Sequence, residues 1–483
     1  MNSLHNRVRV TLSEAFRPLS AGTAGFVLLL ALVLAAPHPY GGILPGGSFL
    51  IEILAFSAAG MAMLSRGPER PLGAALLPLS ALAGIAALGV LQLLPLPSGL
   101  LRALSPDSAQ VYAETAEILG LFGRPARFAP CVSIAPTETA STVLLVLAYL
   151  AAFLAAFRLL EVRARRRVFF AAVFLAALAQ IALAVATEPA GDRKHGSFVN
   201  PDHLAGYLEI ALVLAFAVVW ITISSGRDAT RHLADPAERV ERRLLPVSLA
   251  ILLWGTLAAG VGLTKSRGGI LASLLTALLL LALLARRSRP GQRRRAATLG
   301  ALALLAGLVF VALAIENVAI LRFLESDPRE LTADTRVQLW RISLDAWRQF
   351  PVLGSGLGTF REAFRRVQLR DSLCLVEQAH SDPLQLLVTG GAVGAALAAV
   401  ALAAGVVLLL RAAMRQPHRE EGAFMAAGLC ALVSLTLHGL VEFNFSLPAA
   451  PVTLAAVLGA AWSAGLFREN AVATGSGLGP KSG

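Results

Sequence analysis

The sequence predicts an all-α polytopic membrane protein with about 12 transmembrane helices and a large loop between helices 9 and 10. Two observations predict the class. Of 483 residues 56% are hydrophobic, with a mean hydropathy of +0.69. The apolar residues also gather into runs near the roughly 20 residues that cross a bilayer core. In lipid every backbone polar group must be paired within the protein, and runs of this length satisfy that as helices.

The runs are 20–36, 48–64, 71–93, 139–157, 168–186, 202–223, 246–263, 269–285, 297–315, 383–410, 423–438 and 449–467. They divide the chain into helices 1–9 with short loops (1–315), a large, partly helical loop (316–382), helices 10–12 (383–467) and a disordered tail (468–483). The first run follows a basic N-terminus, and Leu34-Ala35-Ala36 resembles a signal cleavage site; cleavage there leaves the sidedness of later spans unchanged.

Sidedness follows from charge. With the N-terminus inside, the inner segments carry 26 Lys and Arg and the outer ones 16, of which nine lie in 316–382. Long loops translocate largely regardless of charge, so the informative ratio is 26 to 7, and both termini are expected in the cytoplasm. The net charge of +12 sits in short arginine clusters between apolar runs, which argues against nucleic acid as partner. The inner clusters set topology and touch anionic membrane lipids. Three cysteines are too few for a disulfide framework or a zinc site. Cys430 lies in an apolar run, whereas Cys131 and Cys374 lie in polar loops, where a bridge would tie the 94–138 loop to the large one.

The chemistry-bearing residues fall on the outer, periplasmic face. That argues against ATP, nucleotide sugars and NAD as substrates, and favours a group delivered on a lipid-linked diphosphate. Asn200 reads as an N-cap before Pro201, with Arg193 and Lys194 just ahead and His203 in the first turn. Glu209 lies two turns into that span, where an ionisable group is costly and faces the bundle interior or a cavity. Lys265 and Arg267 lie in a short turn opening the eighth run, where free N–H groups and the helix dipole favour an anion. A guanidinium there suits bidentate phosphate binding; the alternative is an arginine snorkelling to the interface.

In the large loop, 331–350 reads as an amphipathic helix. Arg336 lies about 20° from the centre of its apolar arc, aimed at protein or membrane, where it needs an anion or a neighbouring acid. The glycines of 354–360 superficially suggest a phosphate loop, but the strand–turn–helix context is missing; they read instead as a tight turn with close backbone approach. His380 precedes Ser381-Asp382-Pro383, read as N-cap and N1, so its ring lies outside a helix N-terminus that favours the neutral, proton-accepting form. That suits a general base for a sugar hydroxyl, or an interfacial hydrogen-bonded histidine. The 438–448 connection brings Glu442 in a supporting or packing role. No Asp, Glu and His spacing suggests a divalent metal, and no cofactor is expected; arginines and helix ends would carry diphosphate charge.

Six segments together resemble the O-antigen ligase and O-antigen polymerase superfamily: Ser197-Phe198-Val199-Asn200-Pro201-Asp202-His203-Leu204-Ala205-Gly206-Tyr207-Leu208, Ser266-Arg267-Gly268-Gly269, Thr335-Arg336-Val337-Gln338-Leu339-Trp340, Gly354-Ser355-Gly356-Leu357-Gly358-Thr359-Phe360, His380-Ser381-Asp382-Pro383-Leu384-Gln385-Leu386-Leu387 and His438-Gly439-Leu440-Val441-Glu442-Phe443-Asn444. The resemblance implies a GT-C-like glycosyltransferase of the bacterial inner membrane that moves a glycan from a polyprenyl-diphosphate carrier to a lipid or glycan acceptor hydroxyl on the periplasmic face, with inversion and without a metal. It implies catalytic roles for Arg267 at the diphosphate, for Arg336 and for His380 at the acceptor. Arg193, Lys194, Lys265, Asn200, His203, Glu209 and Glu442 are candidate substrate-binding residues. A polymerase of the same family is the alternative, and a multi-span transporter is the alternative from another class.

Overall fold

The computed structural model describes residues 20–38, 40–65, 72–125, 128–189, 193–229, 235–287, 298, 301, 305, 335–368, 376–415 and 419–466. Among them the regular structure is helical. The helices are α1 (Ala21–Ala35), α2 (Pro45–Leu64), α3 (Leu76–Leu93), α4 (Ser98–Leu104), α5 (Pro106–Leu121), α6 (Pro136–Leu159), α7 (Arg163–Thr187) and α8 (Pro201–Ala229). They continue with α9 (Pro236–Leu263), α10 (Arg267–Arg287), α11 (Thr335–Gln349), α12 (Phe360–Val367), α13 (Asp382–Arg415), α14 (Arg419–Gly439) and α15 (Ala449–Leu466).

Nine of these are long and apolar enough to cross a membrane, namely α2, α3, α6 to α10, α13 and α14, while α1 and α15 are shorter apolar helices. These eleven coincide with expected spans. The twelfth, 297–315, lies outside the described residues apart from 298, 301 and 305, as do 316–334, Cys374 and the tail.

α8 is the central helix, with 83% of its most apolar window buried, and α14 follows with 72%. α8 packs against α9, α10 and α14, and α14 also meets α13 and α15. Alanines and Cys430 on α14 are fully buried, as small residues that let helices approach closely usually are. Outer helices show leucines such as Leu252 and Leu275 to the surroundings, as lipid-facing helices do.

The 94–138 segment, expected as a loop, folds into α4 and α5. Pro106 opens α5 and pre-sets its first helical φ, while Pro97 stands at the N-cap of α4. Cys131 is a buried free thiol there, hydrogen-bonded to the Ser133 carbonyl and beside the Tyr112 hydroxyl.

The large loop has a core of its own. Ala346 and Phe350 of α11 pack with Phe360, Ala363 and Phe364 of α12 and with Ala379 and Val388. Gly354, Gly356 and Gly358 all have positive φ, so the 354–360 glycines serve a turn, as expected. That turn inserts beside a break in α13, where Gly391 adopts φ 62° and ψ −166°. The Ser355 and Gly356 N–H groups donate to the Val388 and Thr389 carbonyls, and those of Ala392 and Val393 donate to Pro351 and Val352. Buried Gln92 on α3 completes the junction: its amide donates to the Leu353 and Thr389 carbonyls, and its oxygen accepts the Leu357 N–H. Non-helical backbone at this depth is tolerated because protein groups satisfy it.

A Cβ at Gly391 would strike the Val352 carbonyl, whereas one at Gly73, also at positive φ, meets nothing within 4 Å. Gly391→Ala should therefore cost about 2 kcal/mol or more and Gly73→Ala about 1 kcal/mol. Thermal melts in detergent should show the larger drop for Gly391→Ala.

Candidate functional site

Four groups of residues meet at one end of the bundle: 193–203, 264–269, 336–340 together with 380–382, and 438–446. Asn200 caps α8 as expected, its side-chain oxygen accepting the Asp202 N–H at 2.9 Å. Arg193 reaches across, donating to the Thr264 carbonyl at 3.0 Å and pairing with Asp202 at 2.7 Å. Lys194 is buried, and its ammonium donates to the Glu188 and Pro189 carbonyls. It therefore pins its own loop rather than projecting into the site.

The turn before α10 is fixed by Ser266. Its hydroxyl accepts the Gly269 N–H at 3.2 Å, the bond of a helix cap, and also meets Asp202 and His438. Lys265 occupies this turn with φ 52° and is half-buried. Arg267, the first residue of α10, has an exposed side chain at the helix N-terminus. Glu209 is fully buried, with one oxygen on His438 Nδ1 at 2.7 Å and the other accepting the Ser434 hydroxyl at 2.6 Å. Its place is inside the bundle, behind the Arg267 turn.

The second half of the site forms around Glu442. This carboxylate is 1% exposed. One oxygen pairs with Arg336 of α11, and the other lies 3.0 Å from His380 Nδ1. The neighbouring acid that Arg336 needs is thus the side chain that holds the histidine. His380 adopts φ 47°, and its carbonyl accepts the Trp340 indole N–H at 3.3 Å. Phe443 stands edge to face with His380 on one side and His203 on the other, at 4.8 and 4.4 Å between ring centres.

The capping of α13 differs from expectation. The helix begins at Asp382, and the Gln385 N–H bonds to the Ser381 carbonyl. The Asp382 carboxylate turns away to accept the Phe445 N–H, because the 438–446 connection brings its own unpaired N–H groups close by. His203 and Asn444 are buried, and their side-chain polar atoms have no partner among the described residues. No cluster of three or more His, Cys, Asp and Glu that could hold a metal ion occurs among the described residues.

Sequence reasoning missed Asp202, Ser266 and His438. The available signal was Glu209 itself: a carboxylate inside a span requires a partner, and His438 is an ionisable group at the matching depth.

A helical bundle of membrane-spanning length, with arginines, a helix N-terminus and a carboxylate-held histidine gathered at one end, defines a polytopic membrane protein with a charged site at that end. Residues 249–399 match the family model described as O-Antigen ligase. The match bears out the resemblance to the O-antigen ligase and polymerase superfamily and supports that type of function. It contains Arg267, Arg336 and His380, while Arg193, Glu209 and Glu442 lie outside it. No curated protein matches the chain.

Because Arg336 and His380 share one buried acceptor, their contributions should be coupled. A double-mutant cycle of Arg336→Ala with His380→Ala, read by denaturation in detergent, should give a coupling energy of about 1–3 kcal/mol. Additive effects would refute the shared contact.

Proposed function

We propose that the protein is an O-antigen ligase-like glycosyltransferase of the bacterial inner membrane. It moves a glycan from a polyprenyl diphosphate to an acceptor hydroxyl on the periplasmic face, with inversion and without a metal. The observation that carries this reading is the Glu442–His380 contact.

Glu442 accepts the Nδ1 proton of His380 and so fixes the tautomer with Nε2 free to take a proton. The acceptor hydroxyl loses its proton to Nε2 as its oxygen attacks the anomeric carbon. The bond from that carbon to the diphosphate oxygen breaks, and its electron pair leaves with the polyprenyl diphosphate. Attack opposite the leaving group inverts the centre. Arg267, at the N-terminus of α10, receives the diphosphate charge, and the helix dipole there favours that charge without moving. Arg336 pairs with Glu442 and brings further positive charge to this end.

Arg193 and Asn200 build the wall beside Arg267, with Lys265 in the turn and Lys194 tying down the loop behind. His203 and Asn444 place polar groups under Phe443 for a sugar hydroxyl. The outer location rests on the charge ratio of the loops, and the ligase type on the family description.

His380→Ala should lower transfer by about 10²–10⁴-fold and Arg267→Ala by about 10²-fold or more, with protein levels intact. Envelope glycans of strains carrying these variants would measure it; normal transfer by both sinks the assignment. In a deletion strain, accumulation of lipid-linked polymer identifies a ligase. Single repeat units in its place would assign a polymerase.

A further inference from the structure

The reaction above makes no use of the most deeply buried ionisable pair at this end of the bundle. Glu209 and His438 are 0% and 1% exposed. A carboxylate at this depth costs several kcal/mol unless it is fully satisfied. Here it is: His438 takes one oxygen and Ser434 the other.

The pair does more than neutralise itself. The far nitrogen of His438 lies 3.4 Å from Ser266 Oγ. Ser266 caps α10 and touches Asp202, which pairs with Arg193. The first turn of α10 lies directly on the pair. A Cβ at Gly268 would come within 2.9 Å of the His438 ring, and one at Gly269 within 2.7 Å of Ala205 and 3.1 Å of Glu209 Oε1. Arg267 is therefore held from both sides, by a cap that His438 contacts and by two glycines that admit no spacer between helix and pair.

We propose that Glu209 and His438 are positioning residues for Arg267. They fix the start of α10 so that its guanidinium and first-turn N–H groups meet the donor diphosphate together. Neither touches the substrate. The inference rests on the diphosphate reading of Arg267 and explains why an ionisable pair is kept inside the bundle. Misplacement by about 1 Å at such a site costs up to 10²-fold.

The test uses the full-length protein in nanodiscs and a polyprenyl-diphosphate-linked glycan. E209Q and H438Q should each raise the donor Kd about tenfold, or about 1.4 kcal/mol, while kcat at saturating donor stays within about threefold. Added to R267A, neither should weaken donor binding further, because the binding they support is already lost. S266A should reproduce the rise in Kd and serves if the Glu209 variants do not accumulate. An unchanged donor Kd in well-folded E209Q and S266A overturns the proposal, as does a full additive loss on top of R267A. A fall in kcat with Kd unchanged overturns it too. If the wild-type protein neither binds nor uses the donor, the diphosphate reading itself fails and this inference falls with it.

Discussion

One buried carboxylate organises the site. Glu442 sits in the short connection between α14 and α15, and it holds Arg336 from α11 and His380 from the start of α13. A carboxylate at 1% exposure must be paired, and removing either partner leaves charge unmet in a low-dielectric surrounding. The large loop is thereby fastened to the bundle by the same group that orients the histidine. Position and chemistry are set together.

The connection that carries Glu442 also reaches the other half of the site. His438, four residues earlier, contacts the Ser266 cap of α10 and pairs with Glu209. The Asp382 carboxylate anchors the far side of the same connection at Phe445, and the Asp382 N–H donates to the Glu442 carbonyl at 3.1 Å. A segment of about nine residues therefore spans from the Arg267 turn to His380. It lies outside the 249–399 match, although the Arg267 turn and His380, which it joins, lie within it.

Helices and their order were legible because lipid imposes a length and a composition on each span, and α1, α13 and α15 begin within a few residues of the apolar runs. The site was legible one residue at a time. Arg267 stood out by its place before an apolar run, His380 by its neighbour proline, and Arg336 by helix phase. Asn200 proved a cap, as its sequence suggested. The helices α4 and α5 escaped notice because each is short and of mixed polarity, where periodicity carries little signal. Lys194 and Glu209 were placed with the substrate because a charge near a membrane reads the same whether it meets a ligand or a carbonyl.

The sequence alone determined the membrane class, the eleven spans found among the described residues and the residues worth watching, and its loop charges carry the expectation of sidedness. Each of these follows from local composition or from spacing along one helix. The tertiary structure decided which of those residues meet. Arg336 and Glu442 are 106 positions apart, and Glu209 and His438 are 229 apart. No periodicity spans such distances, because pairing at that range depends on how whole helices pack. Packing also broke α13 at Gly391 to seat the glycine turn, and it turned a connection read as simple packing into the joint between the two halves of the site.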